Sequence, residues 1–227
     1  MPRRPREATG GLVYHVLNRA AGRATIFEKD ADYQAFEHVL EQAHHRTGTR
    51  MLCYCVMPNH WHLVLWPRRD DELSEYMRGL TVTHTQRWHA NHRTAGTGPL
   101  YQGRFKSFPV QTDLHLLRVC QYVERNALRA GLVKLAENWR WCSLRRRQQA
   151  KADGGALLLS PDQWPVEPPR NWVATVNAAE SGEELEALRK SVQRGAPYGH
   201  AKWQERTASR LGLESSLRLR GRPRLSK

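Results

Sequence analysis

Two histidines two residues apart, His60 and His62, stand in the segment MPNHWHLVLW (57–66). About sixty residues on, QYVERN (121–126) carries Tyr122 and Asn126 four residues apart. The first segment is apolar and follows a Pro58-Asn59 turn, so it reads as a strand. Residues two apart on a strand share a face, which sets His60 beside His62 and turns Trp61 away. The second segment reads as a helix, where residues four apart lie one above the other. Two imidazoles, an amide oxygen and a phenol of this spacing can surround one metal ion and one phosphate.

Cleaving a phosphodiester needs positive charge on the non-bridging oxygens, which a divalent cation supplies. Two neutral imidazoles and a neutral amide leave the ion its full charge and several open positions. Ligand softness alone admits zinc. A phosphate and waters completing an octahedron suit Mg2+ or Mn2+ instead. Tyr122 then offers an oxygen nucleophile, since a nearby cation stabilises the phenolate of a group whose ordinary pKa is about 10. Its helix also carries Arg118, Arg125 and Arg129 at offsets of three and four, opposite an apolar stripe of Leu116, Val119, Cys120, Val123 and Ala127. That pattern predicts a polar, basic surface around Tyr122, with these arginines holding a nucleic-acid strand. Tyr101 is the rival nucleophile, but it lies in a loop with no helix-borne amide four residues on.

The elements that must position these groups follow in order. Residues 11–18 read as a strand, 31–46 as a helix with Asp30 as N-cap, and 50–57 and 60–66 as two further strands. A helix capped by Asp70 or Asp71 runs to about 91. A fourth strand follows the loop at 101–105, and the tyrosine helix spans about 113–129. The order β-α-β-β-α-β-α predicts an α+β fold, a ferredoxin-like antiparallel sheet covered by helices. Residues 1–147 make the candidate catalytic domain and 148–172 a Pro-containing linker. Residues 173–227 form a helical extension with a basic tail. Arg19 and Arg23 in the first loop, and Arg104 and Lys106 at the fourth strand, are candidate phosphate contacts. Arg220 and Arg222 in the tail are two more.

Composition narrows the partner. Of 227 residues, 36 are Lys or Arg and 22 Asp or Glu, a net charge of +14. Such an excess favours a polyanion, most simply nucleic acid. No apolar run nears the roughly 18 residues of a membrane span, and the basic N-terminus leads into no apolar signal core. A cytoplasmic protein without a membrane partner is the expectation. The four cysteines do not pair as C-x-x-C, and Cys53 and Cys55, in an apolar strand, are expected to be buried free thiols.

The segments GLVYHVLNR (11–19), MPNHWHLVLW (57–66), LYQGRFKSF (100–108) and YVERNALRAG (122–131) resemble the single-tyrosine HUH transposases, most of all the repeat-associated tyrosine transposases of bacteria. The resemblance runs through about residues 8–147. It implies His60 and His62 as the HUH pair, Tyr122 as nucleophile and Asn126 as third metal ligand. It also implies cleavage of single-stranded DNA beside hairpins of repeated extragenic palindromes, by a monomer or a homodimer. Ala127 departs from the family, where proline commonly follows the asparagine. Two other classes compete: a domesticated module that binds hairpin DNA or RNA without cutting, and a zinc hydrolase using activated water. The first needs none of the His, Tyr and Asn set. The second would survive loss of Tyr122.

Overall fold

The computed structural model describes residues 8–149 and 157–218. β1 (Val13–Arg19) leads through a short 3-10 turn at Ala21–Arg23 to α1 (Asp30–Thr47). β2 (Arg50–Met57) and β3 (His60–Trp66) follow as a hairpin, then α2 (Glu72–His92), β4 (Lys106–Val110) and α3 (Leu114–Glu124). A single four-stranded sheet in the order β2-β3-β1-β4 results, and every pairing is antiparallel. This is the ferredoxin-like order that the sequence predicts.

Local chemistry explains the boundaries. α1 ends at Gly48, whose left-handed φ of 69° lets its N–H reach the His44 carbonyl. At its start the N-cap is Lys29 rather than the expected Asp30. Asp32 does the capping instead, accepting from the backbone N–H of Glu28 and Lys29. The two-residue Pro58-Asn59 turn joins β2 to β3, pairing Met57 with His60. Its Pro58 carbonyl accepts from the N–H groups of Ile26 and Phe27, which fastens the turn to the loop after β1.

Alternation on β3 divides the molecule. Trp61, Leu63 and Leu65 face α1 and α2, where they meet Phe36, Val39, Leu40, Leu73, Met77 and Leu80. Trp61 is fully buried there, and its removal to alanine would cost about 3–5 kcal/mol. The opposite face carries Val64, Phe108 and Val110 under Leu116, Val119 and Val123 of α3.

The chain then continues around that second face. α4 (Asn126–Arg129), a 3-10 turn at Ala136–Asn138 and α5 (Ser143–Gln149) are followed by α6 (Trp172–Asn177) and α7 (Gly182–Arg194). α8 (Ala201–Arg210) and α9 (Glu214–Leu217) complete the described residues. Val176 of α6 and Leu188 of α7 are buried in the same apolar cluster as α3, and so is Trp164 in the connection before them. Both sheet edges are covered, which removes open ladders from solvent. Tyr198 pairs with β4, donating to the Pro109 carbonyl and accepting from the Gln111 N–H, both at 2.9 Å. Residues 141–142 lie along β2, where Val56 N–H meets the Trp141 carbonyl at 2.9 Å. All four cysteines are buried and free. Among the described residues no helix is long and apolar enough to cross a membrane.

Candidate active site

Strand alternation sets His60 and His62 on the α3 face, with ring centroids 5.1 Å apart. His62 is buried and His60 half-buried. Burial pulls the His60 imidazole down to about 4, helped by the cations of Arg19 and Arg129. Burial, then His15 and His60, drives His62 well below its ordinary range. Both rings are therefore neutral at pH 7, the form in which an imidazole can ligate a metal.

In both rings Nδ1 is already engaged. Asn59 donates from Nδ2 to the Arg23 carbonyl at 3.2 Å, which fixes its amide so that Oδ1 faces His60. His60 Nδ1 must then donate to that oxygen, at 2.6 Å, leaving the Nε2 lone pair free. His62 Nδ1 lies 2.9 Å from His15 Nε2, with the rings stacked at 5.0 Å. When His62 is the donor, its Nε2 is free as well, and the buried Nδ1 proton of His15 has no partner among the described residues.

α3 brings the phenol to these rings. Tyr122 stands edge-on to His62 at 5.9 Å and to His15 at 6.3 Å. The Arg129 guanidinium lies 4.0 Å above the Tyr122 ring. The tyrosine hydroxyl makes no hydrogen bond among the described residues. Tyr122 does not lie on an open basic surface, as the helix pattern predicts: it is 8% exposed and belongs to the apolar cluster of that face. The reason is a second layer of protein over α3 that helical periodicity cannot reveal. α3 stops at Glu124 and Arg125 interrupts it, so Asn126 opens α4 instead of continuing one long helix. Asn126 is buried, and its amide makes no hydrogen bond among the described residues.

The arginines of this helix are turned to that layer. Arg118 pairs with Glu184, and Arg129 with Glu180 at 2.8 Å. Arg125 donates to the carbonyls of Val176 and Asn177. Gln121 reaches the Thr175 carbonyl at 2.7 Å. Glu124, buried beneath, accepts from Ser143, Arg147 and Trp172. The extension thus grips the tyrosine helix along its length.

Arg19, Arg23, Arg104 and Lys106 do come together, around one groove of about 690 Å³. Arg220 and Arg222 lie outside the described residues. Tyr101 is fully engaged on the other face: its hydroxyl accepts from Trp61 Nε1 at 3.0 Å and donates to His84 Nδ1 at 2.6 Å. Burial raises that phenol far above its ordinary range. Sequence reasoning missed His15, Asn59, Glu180 and Glu184. A lone histidine in an apolar strand looks like core, and the two glutamates sit more than fifty residues from the helix they bind. Among the described residues no group of three or more histidines, cysteines and carboxylates is arranged to hold a metal. The candidate set is instead two imidazoles and an amide.

The family model for IS200-like transposases matches residues 8–126, which hold the whole sheet, both histidines and Tyr122. The chain belongs to the IS200-like transposase family. It is therefore placed among proteins that process nucleic acid. Its fold is similar to the solved structure of a REP-associated tyrosine transposase bound to a REP hairpin, with a TM-score of 0.53 and 20% identity over 70% of this chain and 91% of that one. A putative transposase from Deinococcus radiodurans R1 is also similar, with a TM-score of 0.39 and 18% identity over 54% of this chain and 96% of that one. No curated protein matches the chain. The family match ends at residue 126, so α5 to α9 lie beyond it.

Proposed function

We propose that this IS200-like transposase is a metal-dependent endonuclease and strand transferase for single-stranded DNA next to hairpins, working through a covalent 5′-phosphotyrosine. The observation that carries the reading is the unspent chemistry at one point. Tyr122 keeps a free hydroxyl against His62, while His60 and His62 have Nδ1 engaged and Nε2 available. Two such nitrogens, on rings 5.1 Å apart, would hold one metal ion between them. The unpartnered Asn126 amide, one turn after Tyr122, is the third ligand.

Mg2+ or Mn2+ held there would act as a Lewis acid on the scissile phosphate. The protein's own groups do the rest. His15 and Asn59 hold the two imidazoles in the tautomer that leaves Nε2 bare. Arg129 lies against the Tyr122 ring and holds it from one side. Tyr122 Oη forms a bond to phosphorus as the bond from phosphorus to the 3′ oxygen breaks. The phenol loses its proton, and the departing oxygen gains one and becomes a 3′-OH. One phosphodiester replaces another, so a new 3′-OH can reverse the step and join strands. Both histidines and the tyrosine meet within one chain, an arrangement open to a monomer or a homodimer. A REP hairpin is the partner bound in the similar solved structure, and the net charge of +14 suits a nucleic-acid hairpin.

The test is a labelled single-stranded hairpin oligonucleotide incubated with Mn2+ and run on a denaturing gel. A covalent protein–DNA band is expected from the wild type and not from Tyr122→Phe. Cleavage that persists in Tyr122→Phe without such a band would replace the tyrosine by activated water. Binding with no cleavage, across metals and hairpins, would leave a non-cutting binding module.

A further inference from the structure

Several arginines of this molecule are tied to carboxylates. Arg118, Arg125, Arg129, Arg140, Arg146 and Arg147 are each within ion-pair distance of a carboxylate. Arg19, Arg23, Arg104, Lys106 and Arg189 are not so paired among the described residues. Yet these five line one groove of about 690 Å³, and no carboxylate lines it. Like charges gathered in one concavity repel one another and attract a polyanion. Four of them come from the part of the chain that the family model matches. Arg189 comes from α7, beyond that match.

We infer that α7 is the second wall of the strand-binding groove, with Arg189 and Gln193 contacting the phosphodiester backbone of single-stranded DNA on its way to Tyr122. This rests on the function proposed above and assigns a role to the extension. α7 is fixed in place: Leu188 is buried against the sheet, and the Gly195 that ends the helix approaches the Ser107 backbone of β4. Arg189 and Gln193 are four apart, so they present one face, and both line the groove. Arg189 offers a guanidinium suited to phosphate oxygens, and Gln193 adds an amide donor.

The groove also leads to the candidate site. Arg19 is the cross-strand partner of His60, and Leu17, opposite Lys106 on one side, is opposite His62 on the other. Arg23, at a left-handed φ of 60°, offers its carbonyl to the same Asn59 amide that orients His60. A strand lying in the groove would enter beside His60. Without α7 the groove would be a one-sided shelf.

The experiment is fluorescence anisotropy of the full-length protein with a labelled, unstructured single-stranded DNA, in EDTA to prevent cleavage, over a series of salt concentrations. Arg189→Ala is compared with Lys190→Ala, which removes the same charge from a neighbouring exposed position that does not line the groove. Arg189→Ala should weaken binding roughly tenfold and reduce the slope of log Kd against log salt by about 0.7, the value for one phosphate contact on a single strand. Adding Gln193→Ala should weaken binding further and leave the slope unchanged. Lys190→Ala should stay near wild type. Equal effects of Arg189→Ala and Lys190→Ala would overturn the wall and leave only a general charge effect, with the proposed function intact. A wild type that binds no single-stranded DNA, with or without an adjoining hairpin, would sink the proposed function itself. Tighter, Arg189-dependent binding of the matched RNA would overturn DNA as the occupant.

Discussion

The two faces of the sheet carry the same ingredients arranged to opposite ends. On the α1–α2 face, Tyr101 donates to His84 at 2.6 Å and accepts from Trp61 at 3.0 Å. On the α3 face, Tyr122 stands 5.9 Å from His62 with its hydroxyl unbonded among the described residues, and His60 and His62 each keep Nε2 clear when their Nδ1 donates. Both tyrosines are nearly excluded from solvent, at 6% and 8% exposure. Burial therefore does not separate a structural tyrosine from the proposed nucleophile. What separates them is hydrogen bonding: among the described residues the Tyr101 hydroxyl has two partners and the Tyr122 hydroxyl none.

The largest test of that contrast exchanges the two phenols for phenylalanine. Tyr122→Phe should abolish covalent DNA attachment while stability stays within about 0.5 kcal/mol of wild type, because no hydrogen bond is lost. Tyr101→Phe should keep cleavage and lose roughly 2–3 kcal/mol in a denaturant titration, since His84 and Trp61 are left unpaired inside the core. A Tyr122→Phe protein as destabilised as Tyr101→Phe would show that the α3 face is ordinary core.

His15 sharpens the comparison one step out. It is the α3-face counterpart of Trp61, a partner that engages a ring nitrogen: its Nε2 meets His62 Nδ1 and leaves His62 Nε2 for the proposed metal. His15→Phe preserves the ring stack and removes that hydrogen bond. Mn2+ affinity, measured by calorimetry without DNA, should fall roughly 10- to 100-fold. His15→Gln, which restores a side-chain acceptor, should recover part of the loss. Wild-type Mn2+ affinity in His15→Phe would remove His15 from the site.

These residues also mark how far the sequence is legible. The β-α-β-β-α-β order and the shared face of His60 and His62 follow from periods of two and 3.6 and from turn residues. Those signals are local, and the strands are short. His15 carries no such signal, because its partner is set by a register of β1 on β3 that no single segment encodes. Arg118, Arg125 and Arg129 show the same limit from the other side. Their spacing describes a basic helix face, which suggests nucleic acid. Their neighbours are Glu184, Glu180 and backbone carbonyls of the extension, brought there by long-range folding.

That grip should be measurable. Arg129 holds the Glu180 carboxylate and the Tyr122 backbone carbonyl at once, so Glu180→Ala leaves a mostly buried guanidinium without its counter-ion. A stability loss of roughly 3 kcal/mol is expected, at the lower edge of the range for breaking a buried pair. Single-turnover cleavage should slow by about tenfold or more as the phenol loses its fixed position. An unchanged cleavage rate at lowered stability would make the extension a brace for folding alone.

The smallest effect lies back on the other face and depends on pH. His84 is held to about 3 by burial, against a small upward pull from Asp32 and a small downward one from His92. Phe27 and Phe36 surround its ring, and Tyr101 is its hydrogen-bond donor. A neutral folded imidazole with an ordinary unfolded pKa near 6.5 means that the unfolded chain binds a proton that the folded chain refuses. Stability is therefore full above about pH 6.5 and falls as pH drops toward 3, by at most about 1.4 kcal/mol per unit for this one group. His84→Phe suits the aromatic pocket and removes the titration, at the expense of the Tyr101 hydrogen bond. Denaturant midpoints of wild type and His84→Phe should converge on acidification from pH 7 to pH 4.5. Parallel curves would mean that His84 takes up its proton in the folded state, and the satisfied face would not be as closed as its hydrogen bonds imply.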